Sequence, residues 1–397
     1  MRVSTRGAYL NSLLAMQKLQ QALDYTQRQI SSGRRILTPS DDPIAASRSI
    51  QMVETISRLE QFDRNSTLAL NRLSQEESAL NSVNNVVQRV RELGLQANNA
   101  TQSDESRGLI AVEMRELLDE LVQLANQQDG NGRYIFSGNL DQTRPVSRSG
   151  STFTYHGDQS QRIIQIGEGR QVADGHPGSR VFFEIRNGNG IFQISPAASN
   201  LGTGLSGEGS VVDPTAYDRD TYTFTMLTDT TYQVVDSSGG VVDSGTYETG
   251  DTITFSGIEF SITGQPVSGD EFTVAPSQNQ DIFSIVDQLS TALEQSITDD
   301  ASRAALNNAV NSGLLGLDQA LGKVLDIRTE IGSRLAAIDN QVNLNANTIL
   351  GLQTALSDLQ DLDYAEAVSR LSAEAATLEA AQASFVRTQQ LSLFNYF

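Results

Sequence analysis

The residues able to do chemistry in this chain are few and scattered. Histidine occurs twice, at His156 and His176, and neither lies in an HExxH or comparable ligand spacing. There is no cysteine, which removes thiol nucleophiles, disulfides and cysteine-based metal sites. Lysine is confined to Lys18 and Lys323, which narrows amine chemistry. Gly202-Thr-Gly-Leu-Ser-Gly207 satisfies GxGxxG as a string, but a dinucleotide loop needs a strand before it and a helix after it. Here EGSVVDPTAYD follows, with Pro214 inside it. Asp41 and Asp42 form an adjacent carboxylate pair. They precede a helical stretch and have Pro43 behind them, so their expected work is helix capping rather than acid–base or metal chemistry. These patterns call for no cofactor, no metal and no catalytic residue, and the expectation is a protein that is not an enzyme.

The elements around those residues explain more. Of 31 glycines, six fall in residues 1–137, twenty in 138–280 and five in 281–397. Proline is absent from 44–144 and again after Pro276. Both ends therefore read as long helices, and the middle reads as strands and turns. On the first arm, helical from about Thr5 to Ser32, Tyr9, Leu13, Met16, Leu23 and Ile30 follow a 4–3 seam with Gln20 and Gln27 in its remaining positions. Gly33 ends that helix, with Arg34 and Arg35 near its negative pole. A helical zone from Pro43 runs to about Gln128, interrupted near 98–104, with a seam at Ile110, Met114, Leu117, Leu121 and Leu124.

Helix resumes near Asp281. Its most regular run is Leu335, Ile338, Val342, Asn345, Ile349, Leu352, Leu356 and Leu359, with steps alternating between 3 and 4. One Asn in such a seam sets register. After the polar break Asp361–Asp363, a second seam comprises Tyr364, Val368, Leu371, Ala375, Leu378 and Phe385, and the chain closes on LSLFNYF, which includes Leu393 and Phe394. Between the helical zones, TYTFTML (221–227), TITFSGIEFSI (252–262) and DEFTV (270–274) alternate with period two, and SSGG and ETGD supply hairpin-type turns.

The expected fold is α+β: a long antiparallel α-helical coiled-coil rod built from both termini, with a β-rich domain inserted. The domains read as terminal arms 1–40 and 355–397, a helical rod 41–137 and 281–354, and an outward β domain 138–280. Whether that domain is one unit or two, divided at the Gly/Ser-rich 199–210, is left open.

Net charge is −20, which disfavours a nucleic-acid partner. No apolar run approaches the ~20 residues of a membrane span, so no membrane partner is expected. Asn11 and Ser12 interrupt the apolar start, so a cleaved secretory signal is not expected either. Residues 1–35 carry six basic groups against Asp24, and 335–397 carry seven acids against Arg370 and Arg387. Opposite charges on the two arms favour their pairing.

Particular stretches are similar to the flagellin superfamily, and within it to subunits of the hook–filament junction. These are MRVST with Met16–Gln17, SSGRRILTPSDDP (31–43), GRYIFSGN (132–139), Tyr155–Asp158, Pro177–Phe183, FSGIEFSITGQPVSGDEFTV (255–274), DYAEAVSRLS (363–372) and the LSLFNYF ending. True flagellins resemble the chain less: they carry KDDAAG-like residues where PSDDPIAA stands here, and they lack such a tail. The resemblance implies terminal arms that form an inner tube and are disordered before assembly. It also implies self-assembly in the flagellar axis next to another hook-associated junction protein and flagellin. Type III export without a cleaved signal, an extracellular location and a cytoplasmic export chaperone are implied as well. The assembly residues expected are Leu13, Met16, Leu23, Ile30, Ile349, Leu352, Leu356, Leu371, Leu378, Phe385, Leu393 and Phe394, with Asp41, Asp42 and Pro43 shaping a turn. The rival readings are a filament flagellin and, less compatible with the sparse histidines, a secreted carbohydrate-active or metal-dependent enzyme.

Overall fold

The computed structural model describes residues 5–394, apart from the side chains of residues 5, 6, 8 and 388–394. Among the described residues six α-helices flank the strands: α1 (Thr5–Ser32), α2 (Pro43–Ala97) and α3 (Asp104–Ala125) come before them, and α4 (Ile282–Leu293), α5 (Asp300–Gln360) and α6 (Tyr364–Phe394) after them. The fold class is α+β. The chain divides into two compact units, one formed by 1–64 with 340–397 and the other by 65–339.

In the first unit, α1 and α6 run antiparallel. The Tyr9 and Phe385 rings are 5.4 Å apart at one end, and Arg370 reaches Gln29 at the other. The start of α2 lies against the end of α5, where Asn345 donates to Asp63 at 3.0 Å. Residue 40 falls in the turn between α1 and α2 and residue 355 just inside the C-terminal end of α5, while the compact units divide at 64/65 and 339/340.

In the second unit, the α2 seam Leu73, Leu80, Val83, Val87, Val90 and the α5 seam Val310, Leu317, Val324, Ile327, Ile331 are fully closed. Ion pairs Arg328–Glu77 (2.7 Å) and Arg91–Asp318 (2.6 Å) fix the antiparallel register of the two helices. The α3 seam differs from the expected one: Ile110, Met114, Leu118, Leu121 and Ala125 are buried, while Leu117 and Leu124 are half-buried. Steps of 4, 4, 3 and 4 follow a straight helix of 3.6 residues per turn rather than a 3.5-residue supercoil. Ser103 caps α3 and Asp281 caps α4 through Ser284.

The strands start as two hairpins, β1 (Val146–Ser149) with β2 (Thr152–Tyr155) and β3 (Ile163–Gly167) with β4 (Arg170–Ala173). A π-helix, Ser179–Phe183, follows, a feature that no sequence pattern announced. β5 (Ile185–Arg186) then pairs with the late strand Asn279–Gln280. A sandwich occupies the rest: β6 (Phe192–Pro196), β7 (Leu205–Ser206), β8 (Ser210–Val211), β9 (Tyr222–Thr228), β10 (Thr231–Val235), β11 (Val241–Thr246), β12 (Thr252–Phe255), β13 (Ile258–Thr263) and β14 (Glu271–Pro276), with Asn279–Gln280 as β15. One sheet has the order β11-β10-β9-β14-β6, and the other has β12-β13-β7 with β8 also on β13. Inward residues alternate as period two requires, with Tyr222, Phe224 and Met226 facing Ile258, Phe260 and Ile262, and Phe272 and Val274 beside them.

The stretch 199–210 is not a linker between two β units. It contributes β7 and the start of β8 to the sandwich, and β6 before it shares a sheet with β14 after it. The small hairpins β1–β2 and β3–β4 share no sheet with the sandwich. Glycine and serine are frequent in 199–210 because the backbone there approaches others closely, not because it is free.

Candidate assembly interface

The turn between α1 and α2 is built from short polar side chains. Asp42 caps α2 by accepting from the Ala45 N–H at 3.0 Å, and Pro43 takes the first helical position, where no N–H partner is needed. Asp41 turns the other way and accepts from the Leu37 and Thr38 N–H groups at 3.0 and 2.8 Å. The Thr38 N–H above all holds the Asp41 carboxyl below its ordinary value. Burial, with Asp41 alongside, raises the Tyr25 phenol.

This turn meets the break between α5 and α6. Gly33, at φ +69°, accepts from the Leu362 N–H at 3.0 Å, and the Arg35 N–H donates to the Gln360 carbonyl at 2.7 Å. The Arg35 guanidinium covers the Leu359 carbonyl at 2.8 Å, satisfying one of the open carbonyls at the end of α5. Gln29, buried, donates to the Arg35 carbonyl and accepts from Arg370. Tyr364 lies over Gly33, where an added Cβ would come within 2.9 Å of its hydroxyl. The two helix breaks are thus one latch, closed mostly by backbone groups.

The opposite charges of the arms take a different form from the one expected. Among the described residues no ion pair links Arg28, Arg34 or Arg35 to an acid of α6. Arg34 meets Asp361 through the backbone, Arg35 stands 3.8 Å from Asp42, and Arg28 turns to the Asp24 carbonyl. Asp363 is spent on capping α6 through the Ala365 and Glu366 N–H groups.

The assembly residues read from the sequence share one condition. Leu13, Met16, Leu23 and Ile30 of α1, Ile349, Leu352 and Leu356 of α5, and Leu371, Leu378 and Phe385 of α6 are all half-buried, and none is fully enclosed. Leu393 and Phe394 fall in α6, but their side chains lie outside the described residues. The buried positions of this unit include Thr26, Gln29, Ser49, Gln341 and Asn345, so its interior is markedly polar. Asn345 accepts from Gln341 and donates to Asp63, a set of partners that only one register satisfies.

A second apolar stripe escaped the sequence reading. Leu10 (47% exposed), Leu14 (54%), Leu344, Leu350 (63%) and Val386 face outward. The signal was present, since Leu10 and Leu14 are four residues apart and flank the seam positions Tyr9 and Leu13. Scoring a single heptad seam hides a helix that is apolar on two faces. Seam positions close completely in the second unit, whereas these stay half-open. The arrangement offers apolar area on helices whose register is already locked by polar contacts.

The residues considered for chemistry serve structure. His156 contacts the Ser147 hydroxyl at 2.6 Å. His176 is buried with Nδ1 2.8 Å from Glu76 and Nε2 3.2 Å from Glu330, which Arg180 and Arg334 also engage. Burial pushes the Glu330 carboxyl up, but the His176 hydrogen bond and the Arg180 charge outweigh it and hold the group low. The GxGxxG stretch closes on buried Asp270, which accepts from the Leu201 and Gly202 N–H groups.

Comparison with known proteins follows the same outline. Residues 3–141 match the bacterial flagellin N-terminal helical region and 314–397 the bacterial flagellin C-terminal helical region. The flagellar hook-associated protein 3 of Salmonella typhimurium is 26% identical over 394 residues, 99% of each chain. FlgL of Xanthomonas campestris is 35% identical in a solved structure, with a TM-score of 0.69, covering 76% of this chain and 99% of that one. The chain belongs to the FlgL family. The flagellar junction protein FlgL of Legionella pneumophila, 32% identical with a TM-score of 0.72, matches 79% of this chain and all of its own. These FlgL relatives extend through the β region as well as the helical ends, beyond the segments shared with flagellins. Among the described residues, no helix of this FlgL-family chain is long and apolar enough to cross a membrane.

Proposed function

We propose that the chain is a structural adapter subunit of the bacterial flagellar hook–filament junction, joining a hook-associated junction protein to flagellin. The observation that carries this is the open seam. Large apolar side chains on α1, α5 and α6 are left half-covered, while the polar contacts that fix register are complete. Burying each large side chain fully is worth ~1.5–3 kcal/mol, and repetition around a ring multiplies the gain. The α2–α5 register, fixed by contacts within 41–354, gives each copy the same platform on which its arms order.

In this reading the protein is not an enzyme, and its arms, 1–40 and 355–397, become ordered on assembly while 41–354 folds beforehand. Isolated helices with so little buried apolar area are marginal in water. Export proceeds through the flagellar type III apparatus to an extracellular site, with a cytoplasmic chaperone covering the C-terminal arm. A filament flagellin is the weaker reading, because the flagellin-type regions leave 142–313 unmatched whereas FlgL relatives run through it.

Deletion of the gene tests the role. The expected phenotype is hooks without filaments, with flagellin released into the medium. Normal filaments on the deletion strain would overturn it. Limited proteolysis of the purified monomer tests the arms, and both ends should be trimmed before the rest.

A further inference from the structure

The arm helices α1 and α6 each turn toward solvent a face that mixes apolar and charged side chains. On α1, Leu10 and Leu14 stand open beside exposed Lys18 and Arg28. At 3.6 residues per turn these four lie within about 80° of one another, on the side away from the buried Thr26. On α6, Val368 and Val386 are half-exposed, with exposed Glu379 between them. These three fall within about 20° of one another, on a different face from Leu371, Leu378 and Phe385. Among the described residues, Lys18, Arg28 and Glu379 take part in no ion pair, and Arg28 turns to the Asp24 carbonyl.

The two faces match in spacing when they run antiparallel. With Lys18 opposite Glu379, the midpoint of Leu10 and Leu14 lies about 9 Å from Lys18, and Val386 lies about 10 Å from Glu379 in the same direction, at 1.5 Å per residue. In the other direction Arg28 lies about 15 Å from Lys18, and Val368 about 16 Å from Glu379. The leucines then meet Val386, and the Arg28 stem covers Val368 with its guanidinium in water. Ala383, opposite Leu14, leaves room for the larger side chain. Run in parallel, the same charge contact would set Val386 opposite Tyr25 and lose the apolar match. Charge selects the partner as well. Two α1 faces would bring cations together, two α6 faces would bring carboxylates together, and only α1 against α6 joins opposite signs.

We propose that the outer face of α1 docks antiparallel on the outer face of α6 from a second copy of the chain, with Lys18 paired to Glu379 and Leu10 and Leu14 covering Val386. The two faces are different surfaces of one molecule, so the contact is head-to-tail and can repeat around a ring. Within one chain α1 and α6 already run antiparallel. Copies standing side by side in one orientation therefore offer α1 to a neighbour's α6 in the antiparallel sense. The single ion pair is exposed and screened by salt, so its part is to set the axial register, while the apolar contacts supply most of the attraction. The proposal rests on the self-assembly proposed above and names the faces that meet.

The chain has no cysteine, so disulfide trapping reads one contact at a time. Full-length copies carrying Lys18→Cys and copies carrying Glu379→Cys are co-expressed with an excess of unaltered chain, and the assembled flagella are oxidised. The expected product is a dimer of one copy of each kind. Arg28→Cys with Val368→Cys should form a dimer too, whereas Lys18→Cys with Val368→Cys, out of register, should give about tenfold less, because a disulfide needs Cα atoms within about 7 Å. In a second measurement, Lys18→Glu should lower the number of filament-bearing hooks about fivefold, and Glu379→Lys on the same chain should restore most of it, since every copy presents both faces. Filament-bearing junctions that give no 18–379 dimer, or that give 18–18 or 379–379 dimers instead, would overturn the proposal and leave the adapter role standing. So would a Lys18→Glu chain that assembles normally, or a defect that Glu379→Lys does not repair. Loss of the adapter role itself would show separately, as normal filaments on the gene-deletion strain.

Discussion

Leu10 and Leu14 provide the most direct test of the open-seam argument. Both are on α1, 47% and 54% exposed, and neither contributes to a closed core. Replacing both with Ser should leave the monomer nearly unchanged, within about 0.5 kcal/mol for each exposed position. Assembly should respond differently. A Leu side chain fully buried is worth ~1.5–3 kcal/mol. About half of that area is still open at each position, so each Leu has roughly 1 kcal/mol left to gain on docking. The pair then contributes about 2 kcal/mol per subunit, a factor of about 30 in association before any repetition around a ring. The assay pairs urea unfolding of purified monomer with counts of filament-bearing hooks and swimming in cells carrying Leu10→Ser/Leu14→Ser. A variant that assembles like the wild type would refute the reasoning. So would one whose monomer loses stability as fast as its assembly, since that would place the stripe inside a core.

Gly33→Ala should cost about 1–2 kcal/mol from the left-handed backbone alone, and Tyr364→Phe should recover only the part due to the hydroxyl contact, as read by hydrogen exchange at Leu362. Asn345→Leu should change unfolding free energy little, because apolar burial of ~1.5–3 kcal/mol offsets the acceptor Gln341 loses, ~1–3 kcal/mol. Spin-label distances between α2 and α5 should nevertheless broaden as register loosens. The Asp41 carboxyl is held low, so its contribution to the turn is present above the ordinary carboxylate value of ~3.9 and is lost as pH falls through its lower folded value. Amide exchange at Leu37 and Thr38 should therefore stay slow on moderate acidification and quicken only below that range, whereas Asp41→Asn should be fast throughout.

The helix-forming ends were legible because a 3–4 repeat is a local pattern, and the alternation of Tyr222, Phe224 and Met226 is equally local. The Asp41-Asp42-Pro43 turn was legible for the same reason, since capping involves neighbours within four residues. The α3 register was misread because Leu117 and Leu118 are both apolar, and only the neighbouring helices decide which one turns inward. Glycines at 202, 204, 207 and 209 looked like a linker because composition alone does not distinguish free backbone from backbone that is closely packed. The buried contacts of His176 join residues 100 and 154 positions apart in sequence, so no window of sequence contains them.

The chain by itself therefore determined which segments are helical, which alternate as strands, and where the turns fall, since each depends on side chains within a few residues. Tertiary structure alone decided which apolar faces are closed. The same repeat that vanishes into a core at Leu73–Val90 stays half-open at Leu13–Ile30, because burial depends on how many neighbours surround a helix rather than on the helix's own residues.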